Sequence, residues 1–195
     1  MQRNEAPGEL ELVRRFVNTR DIEDGSDELH SPDALLTWFA GVDLLDDETA
    51  ADEKDLERAL ALREGIRALL LANNGEETET VRIRDLNRAI GSVCLSVRFD
   101  EDGEATLVPE SPGVSAAFGR ILTTVVRAMD EGSWGRMKAC PNDACQWAFY
   151  DHSKNHPGKW CTMEVCGNRM KARTFRQRQA AGKGVSHPAQ QESRC

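Results

Sequence analysis

The sequence predicts an α+β protein: a mainly helical N-terminal part with one small β-hairpin, followed by a small C-terminal module organised by cysteines. Three observations carry this. Apolar residues recur at helical spacing through several segments, most fully in 56–70 and 114–131. The stretch 94–108 alternates instead, about an acidic turn. Four of the six cysteines fall as two pairs, Cys140 with Cys145 and Cys161 with Cys166, with four residues inside each pair and fifteen between pairs.

The elements follow in order. Leu10, Leu12, Val13, Phe16 and Val17 give a helix within Gly8 to Thr19, and the charged, small residues from Arg20 to His30 read as a loop. Ser31-Pro32-Asp33 is a helix start, with Ser31 as cap and Pro32 in the first turn, and Gly41 is the stop. Asp43 to Asp55 holds seven acidic residues in thirteen and lacks the glycine and oxygen spacing of a calcium loop, so it reads as solvated surface. The next helix is the longest, through Leu56, Ala59, Leu62, Ile66 and Leu70 to Asn73-Asn74-Gly75, with Gly75 as its C-terminal stop. Its Arg63 and Arg67 are expected on the solvated face. A polar linker, 76–80, precedes a helix through Ile83, Leu86, Ala89, Ile90 and Val93. The hairpin then turns at Asp100 to Gly103, and Cys94 at its start is expected to be a small buried side chain. Ser111-Pro112-Gly113 breaks the chain before a helix over Val114 to Glu131, which leads through Gly132-Ser133 to Trp134.

At 195 residues with 30% charged composition, the chain suits one ordinary domain and a small one. No apolar run approaches the roughly eighteen residues of a membrane span. Nothing at the N-terminus resembles a secretion signal, and a cytoplasmic protein is expected. The net charge of −8 conceals a split: residues 1–133 hold 14 basic against 29 acidic residues, a net −15, whereas 134–195 hold 11 against 4, a net +7. That break divides the chain into 1–133, 134–180 and a tail, 181–195, rich in Gly, Ser, Pro and Gln and expected to be disordered. Cys195 ends the tail and carries no expected role.

The cysteine spacing suits a closed tetrahedral site of four thiolates, each pair turning two sulfurs toward one Zn²⁺ at about 2.3 Å. Zinc in such a site holds a fold and has no open position for catalysis. Two disulfides are the alternative, disfavoured in a reducing compartment. His152 and His156 lie between the pairs and make a site of two cysteines and two histidines a rival. Ser153, Asn155, Pro157 and Gly158 around them are turn chemistry, however, and exposed loop histidines are expected.

The run Trp160, Cys161, Met163, Cys166, Gly167, Asn168, Arg169 and Lys171 resembles the CGNR zinc finger, as does the alternation Trp147, Phe149, Asp151, Ser153, Asn155. Phe16-Val17-Asn18-Thr19, Trp38 and Leu62-Arg63-Glu64 resemble the ABATE domain that precedes this finger in bacterial proteins proposed as stress-induced transcription regulators. The resemblance implies a treble-clef-like finger, with a knuckle at Cys140 to Cys145, strands around Trp147 to Tyr150 and a helix beginning near Cys161 to Cys166. It also implies DNA as a partner and an N-terminal domain that senses a small ligand or forms a homodimer.

The residues agree with the first of these. Arg169, Arg173 and Arg176 lie at i, i+4 and i+7 and share one helix face, with Lys171 and Arg178 on another, and no acid occurs between Glu164 and Glu192. Arginine's planar donor fork suits phosphate and guanine edges. Asn168, Arg169, Lys171, Arg173, Arg176 and Arg178 are therefore the expected nucleic-acid contacts. A DNA-binding transcription regulator, without enzymatic activity, is the leading reading. A zinc-stabilised protein-interaction module and a metal-dependent nuclease using the histidines are its alternatives.

Overall fold

The computed structural model describes residues 5–45 and 49–182. The middle of the acidic stretch, at 46–48, and the tail from 183, including Cys195, lie outside the described residues. Contacts divide the chain into two compact units, the first running through Cys161 and the second starting at Thr162.

The first unit holds five helices and two small antiparallel hairpins: α1 (Leu10–Val17), α2 (Pro32–Ala40), α3 (Glu53–Asn73), α4 (Thr80–Ile90), β1 (Leu95–Phe99), β2 (Ala105–Pro109), α5 (Val114–Asp130), β3 (Met137–Ala139) and β4 (Ala148–Tyr150). Ser31 accepts a hydrogen bond from the Ala34 amide at 3.1 Å, with Pro32 in the first turn, as the sequence expects. Asp52 and Asp55 cap α3 reciprocally, each side chain accepting from the other's amide. Gly75 follows α3 with φ +89°, a conformation that spares glycine the Cβ clash.

The core is an aromatic cluster wrapped in aliphatic residues. Phe16 on α1, Trp38 and Phe39 on α2 and Phe118 on α5 meet with ring centroids 5.5–6.2 Å apart. Around them pack Leu35, Leu62, Ile66, Leu70 and Ile121, all buried. Two glycines set the closest approaches: a Cβ on Gly65 of α3 would meet Leu86 of α4 at 2.5 Å, and one on Gly119 of α5 would meet Pro109 of β2 at 2.8 Å.

The β1–β2 register pairs Leu95 with Pro109 and Phe99 with Ala105, and Asp100 closes the turn by accepting from the amides of Asp102 and Glu104. Only the base of this hairpin is covered, where Leu95 and Pro109 meet Gly119. Cys94, expected to be buried, is exposed: it stands at that base one position before Leu95 and so falls on the opposite face, and a two-stranded sheet with one packed face leaves its other face in solvent.

The second compact unit begins with a π-type turn, Met163–Gly167, and continues as α6 (Asn168–Gly182). Among the described residues no helix is long and apolar enough to cross a membrane.

Candidate metal centre and its supports

The metal centre starts from a tight turn between β3 and β4. Asn142 shapes it: its backbone carbonyl accepts from the amides of Cys145 at 2.8 Å and Gln146 at 3.1 Å, while its side-chain oxygen accepts from Ala144. The Cys140 amide donates to the Trp147 carbonyl at 3.0 Å, closing the turn so that Cys140 and Cys145 point to one side. The ligand atoms of Cys140, Cys145, Cys161 and Cys166 all lie within 4.8 Å of one another. Cys145 and Cys161 are close, with their sulfurs 3.6 Å apart. Tetrahedral zinc–thiolate bonds of about 2.3 Å place sulfurs roughly 3.8 Å apart, so the grouping fits that ion.

All four are free thiols, with Cys140, Cys145 and Cys166 buried and Cys161 half-buried. Cys140 is held far below the ordinary thiol value by hydrogen bonds from Cys145 and then Cys161, and the same contacts push both of those thiols up. Crowded sulfurs resist losing more than one proton, because adjacent thiolate charges repel, and one divalent cation relieves this by taking the protons' place. The chemistry of the donor set is consistent with Zn²⁺.

Neither histidine belongs to the group. His152 is exposed and bonds through Nε2 to the Glu5 carbonyl at 2.7 Å, and His156 is exposed with a left-handed backbone, φ 53°. Among the described residues the four cysteines are the group able to hold a metal ion.

A buried ion pair fixes the loop that returns the chain to Cys161. Lys138 Nζ donates to Asp151 at 2.8 Å and to the carbonyls of His156 and Gly158 at 2.7 and 2.9 Å. Asp151 in turn accepts from the amides of Ser153 and Gly158 and from the Ser153 hydroxyl. Burial alone would raise the Asp151 carboxyl, but the Lys138 hydrogen bond, the Ser153 bonds and the Lys138 charge outweigh it and hold the pKa at about 2. A Cβ on Gly158 would meet this carboxylate at 2.7 Å, so the loop needs glycine there.

The helical body supplies the other supports. Asn18, just past α1, pairs reciprocally with the Ala148 backbone, donating to its carbonyl at 2.9 Å and accepting from its amide at 2.7 Å. Asn73 donates to the carbonyls of Trp134 and Met137, and Asn74 to those of Ala139 and Lys159. Arg67 donates to the Gln146 carbonyl at 2.8 Å and the Val17 carbonyl at 2.7 Å, and pairs with Glu64 at 3.1 Å. Gln146, directly after a cysteine of the site, has φ 49°. Left-handed backbone is costly for a residue other than glycine, and Arg67 holds it there.

This overturns the expectation that Arg63 and Arg67 lie on a solvated face: each is 1% exposed. Arg63 forms a fork on Asp27, at 2.6 and 2.8 Å, and donates to Thr19 at 3.1 Å. At 100° per residue the two arginines fall on the same side of α3 as Leu56, Ala59, Ile66 and Leu70, so the helical wheel itself carried the signal. Asn18 and Arg67, with Asn73, Asn74, Lys138 and Asn142, are supporting residues that the sequence does not mark out for the metal site.

The expected nucleic-acid contacts lie on and at the start of α6. Asn168, Arg169, Lys171, Arg173, Arg176 and Arg178 are all exposed. Asn168 donates to the Glu164 carbonyl at 3.0 Å, tying the helix start to the preceding turn.

Residues 10–130 match the model of the ABATE family, described as "Putative stress-induced transcription regulator". The chain belongs to the ABATE family. Residues 136–179 match the CGNR zinc finger, in the order that the sequence resemblance implies. No curated protein matches the chain. The ABATE match covers Asn18, Arg63 and Arg67, and the CGNR match covers the four cysteines and the basic residues from Asn168 to Arg178. Of the residues that carry the ABATE resemblance, Asn18, Thr19, Arg63 and Glu64 are members of the buried polar network, and Phe16, Val17 and Leu62 belong to the core.

Proposed function

We propose that this ABATE protein is a DNA-binding transcription regulator, in which Cys140, Cys145, Cys161 and Cys166 hold a structural Zn²⁺ and α6 contacts DNA. The observation that carries the reading is the composition and exposure of α6. Five basic side chains, Arg169, Lys171, Arg173, Arg176 and Arg178, stand exposed on a helix that has no acidic residue and begins two residues after the fourth cysteine. Such a helix supplies the electrostatic attraction that dominates protein–DNA affinity. Bound zinc supplies a rigid tetrahedral knot and no reacting centre. Cys166 ties the start of α6 to that knot, so the metal acts by orienting the arginines. The ABATE part, with its excess of acid, is the sensing or dimerising half, and its negative charge opposes indiscriminate DNA binding by the whole chain.

Titration of the zinc-loaded full chain with duplex DNA at several salt concentrations tests this. Affinity falls steeply with salt, and replacing Arg169, Arg173 and Arg176 together by Ala weakens binding and lowers the log–log salt slope by about one unit per lost phosphate contact. Chelation of the metal abolishes binding. An affinity and slope unchanged in the triple variant would leave the protein-interaction reading in its place.

A further inference from the structure

The helix α6 carries a large exposed apolar residue that the phosphate-binding account leaves unused. Phe175 is 63% exposed, and it belongs to no hydrophobic cluster among the described residues. An exposed phenylalanine on a mostly polar helix exposes apolar area to water with no return in folding.

Its neighbours on the helix say what kind of surface it faces. Lys171, Phe175 and Arg178 lie at i, i+4 and i+7, so the ring sits in a row between two cations. Arg169, Arg173 and Arg176 form a second row with the same spacing, roughly 160° away at 100° per residue. On the narrower arc between the rows stand Ala172 and Gln179, both exposed. Ala172 is too short to hold the backbone off a surface, and the Gln179 amide is uncharged and carries the donor and acceptor that suit an adenine edge. Two cationic flanks about an uncharged face match a major groove, about 12 Å wide, which admits a helix of about 10–12 Å diameter between two phosphate walls. The other highly exposed phenylalanine, Phe99 at 72%, is followed by Asp100, Glu101 and Asp102, a setting that repels nucleic acid. Charge thus separates the two rings.

We propose that Phe175 is a base-contacting residue: with α6 in the major groove, its ring meets the 5-methyl group of a thymine, while Lys171 and Arg178 neutralise phosphates on either side. The thymine methyl is the one apolar group that base pairs present in that groove, and an aromatic side chain is a suitable partner for it. This rests on the DNA-binding reading above and adds a base preference to it.

The test uses the zinc-loaded full chain and a duplex enriched from a random pool, with each thymine replaced in turn by deoxyuridine, which lacks only the methyl. In the wild type, one or two replacements weaken binding about fourfold, the equivalent of one buried methyl group. In Phe175→Ala overall affinity is lower and those positions become insensitive, whereas Phe175→Leu keeps part of the sensitivity. Three results overturn the proposal: Phe175→Ala with unchanged affinity, an identical deoxyuridine profile in wild type and variant, or tighter binding to single-stranded oligothymidine than to duplex. If the wild type binds no DNA, the regulator reading falls together with this one. If it binds and Phe175→Ala binds equally, only this one falls.

Discussion

Two helices of this protein carry arginines at the same i, i+4 spacing and use them in opposite ways. On α3, Arg63 and Arg67 are sealed inside, each charge met by a carboxylate and each guanidinium shared with loop oxygens. On α6, Arg169 and Arg173 have exposed side chains. The difference lies in the company each pair keeps. Arg63 and Arg67 share a helix face with Leu56, Ala59, Ile66 and Leu70, and the body closes over them. Around Arg173 the residues are Arg169, Met170, Thr174, Arg176 and Gln177, a single apolar side chain among polar ones and too little to close over. A buried guanidinium with five donors can tie together segments that share no side-chain complementarity, because backbone carbonyls suffice as acceptors. An exposed one presents its planar fork to an approaching partner.

The largest effect expected from this contrast is that of Arg67→Met. It leaves the carbonyls of Val17 and Gln146 without their donor and Glu64 without one of its cations, at a cost of about 3–5 kcal/mol. Urea unfolding of the metal-loaded protein measures it, and competition with a chelator should show weaker metal retention, since Gln146 loses its restraint. A loss below about 1 kcal/mol would place the buried arginine on a par with a surface one. A smaller effect separates the pairs by pH. Burial pushes the Asp27 carboxyl up, but the hydrogen bonds and charge of Arg63 outweigh it and hold the pKa below its ordinary value. A depressed folded value means that the pair contributes stability above the unfolded pKa of about 3.9, and that this contribution disappears as pH falls through the folded value. The stability gap between wild type and Asp27→Asn should therefore be full at neutral pH and close below about pH 4, as denaturant midpoints across that range will show. The smallest effect belongs to Arg176→Gln, whose folding stability should match the wild type within about 0.5 kcal/mol while its DNA salt slope falls by about one unit. A measurable loss of stability there would mean that α6 spends its charges on its own fold.

The sequence made the local structure legible. The cap at Ser31, the stop at Gly75, the acidic hairpin turn and the paired cysteines all depend on residues close to one another in the chain. The supports of the metal centre were hidden because their partners are distant and mostly backbone. Asn18 reaches Ala148 across 130 positions, and Arg67 reaches Gln146 across 79. A carbonyl acceptor leaves no residue type to recognise. A charged side chain in water is the common case, and on that ground the sequence alone places Arg63 and Arg67 in solvent. The helical wheel argued otherwise, and their partners Asp27 and Glu64 were in plain sight. Cys94 failed in the opposite direction, since an apolar run implies burial only on the face that a second layer covers, and Cys94 comes one position before Leu95, whose side chain takes the covered face.

The reciprocal pairing of Asn18 with Ala148, and the hold of Arg67 on Gln146, bear on what can be cut out and transplanted. Residues 136–179 have the look of a portable cassette, with four cysteines, a basic helix and a boundary drawn by family likeness. Grafted onto another carrier, that cassette would bring its ligands but leave behind the amide and the guanidinium that brace the turn between them. A chimaera that keeps its grip on metal would have to import an asparagine and an arginine from a foreign helical surface, or evolve substitutes for them.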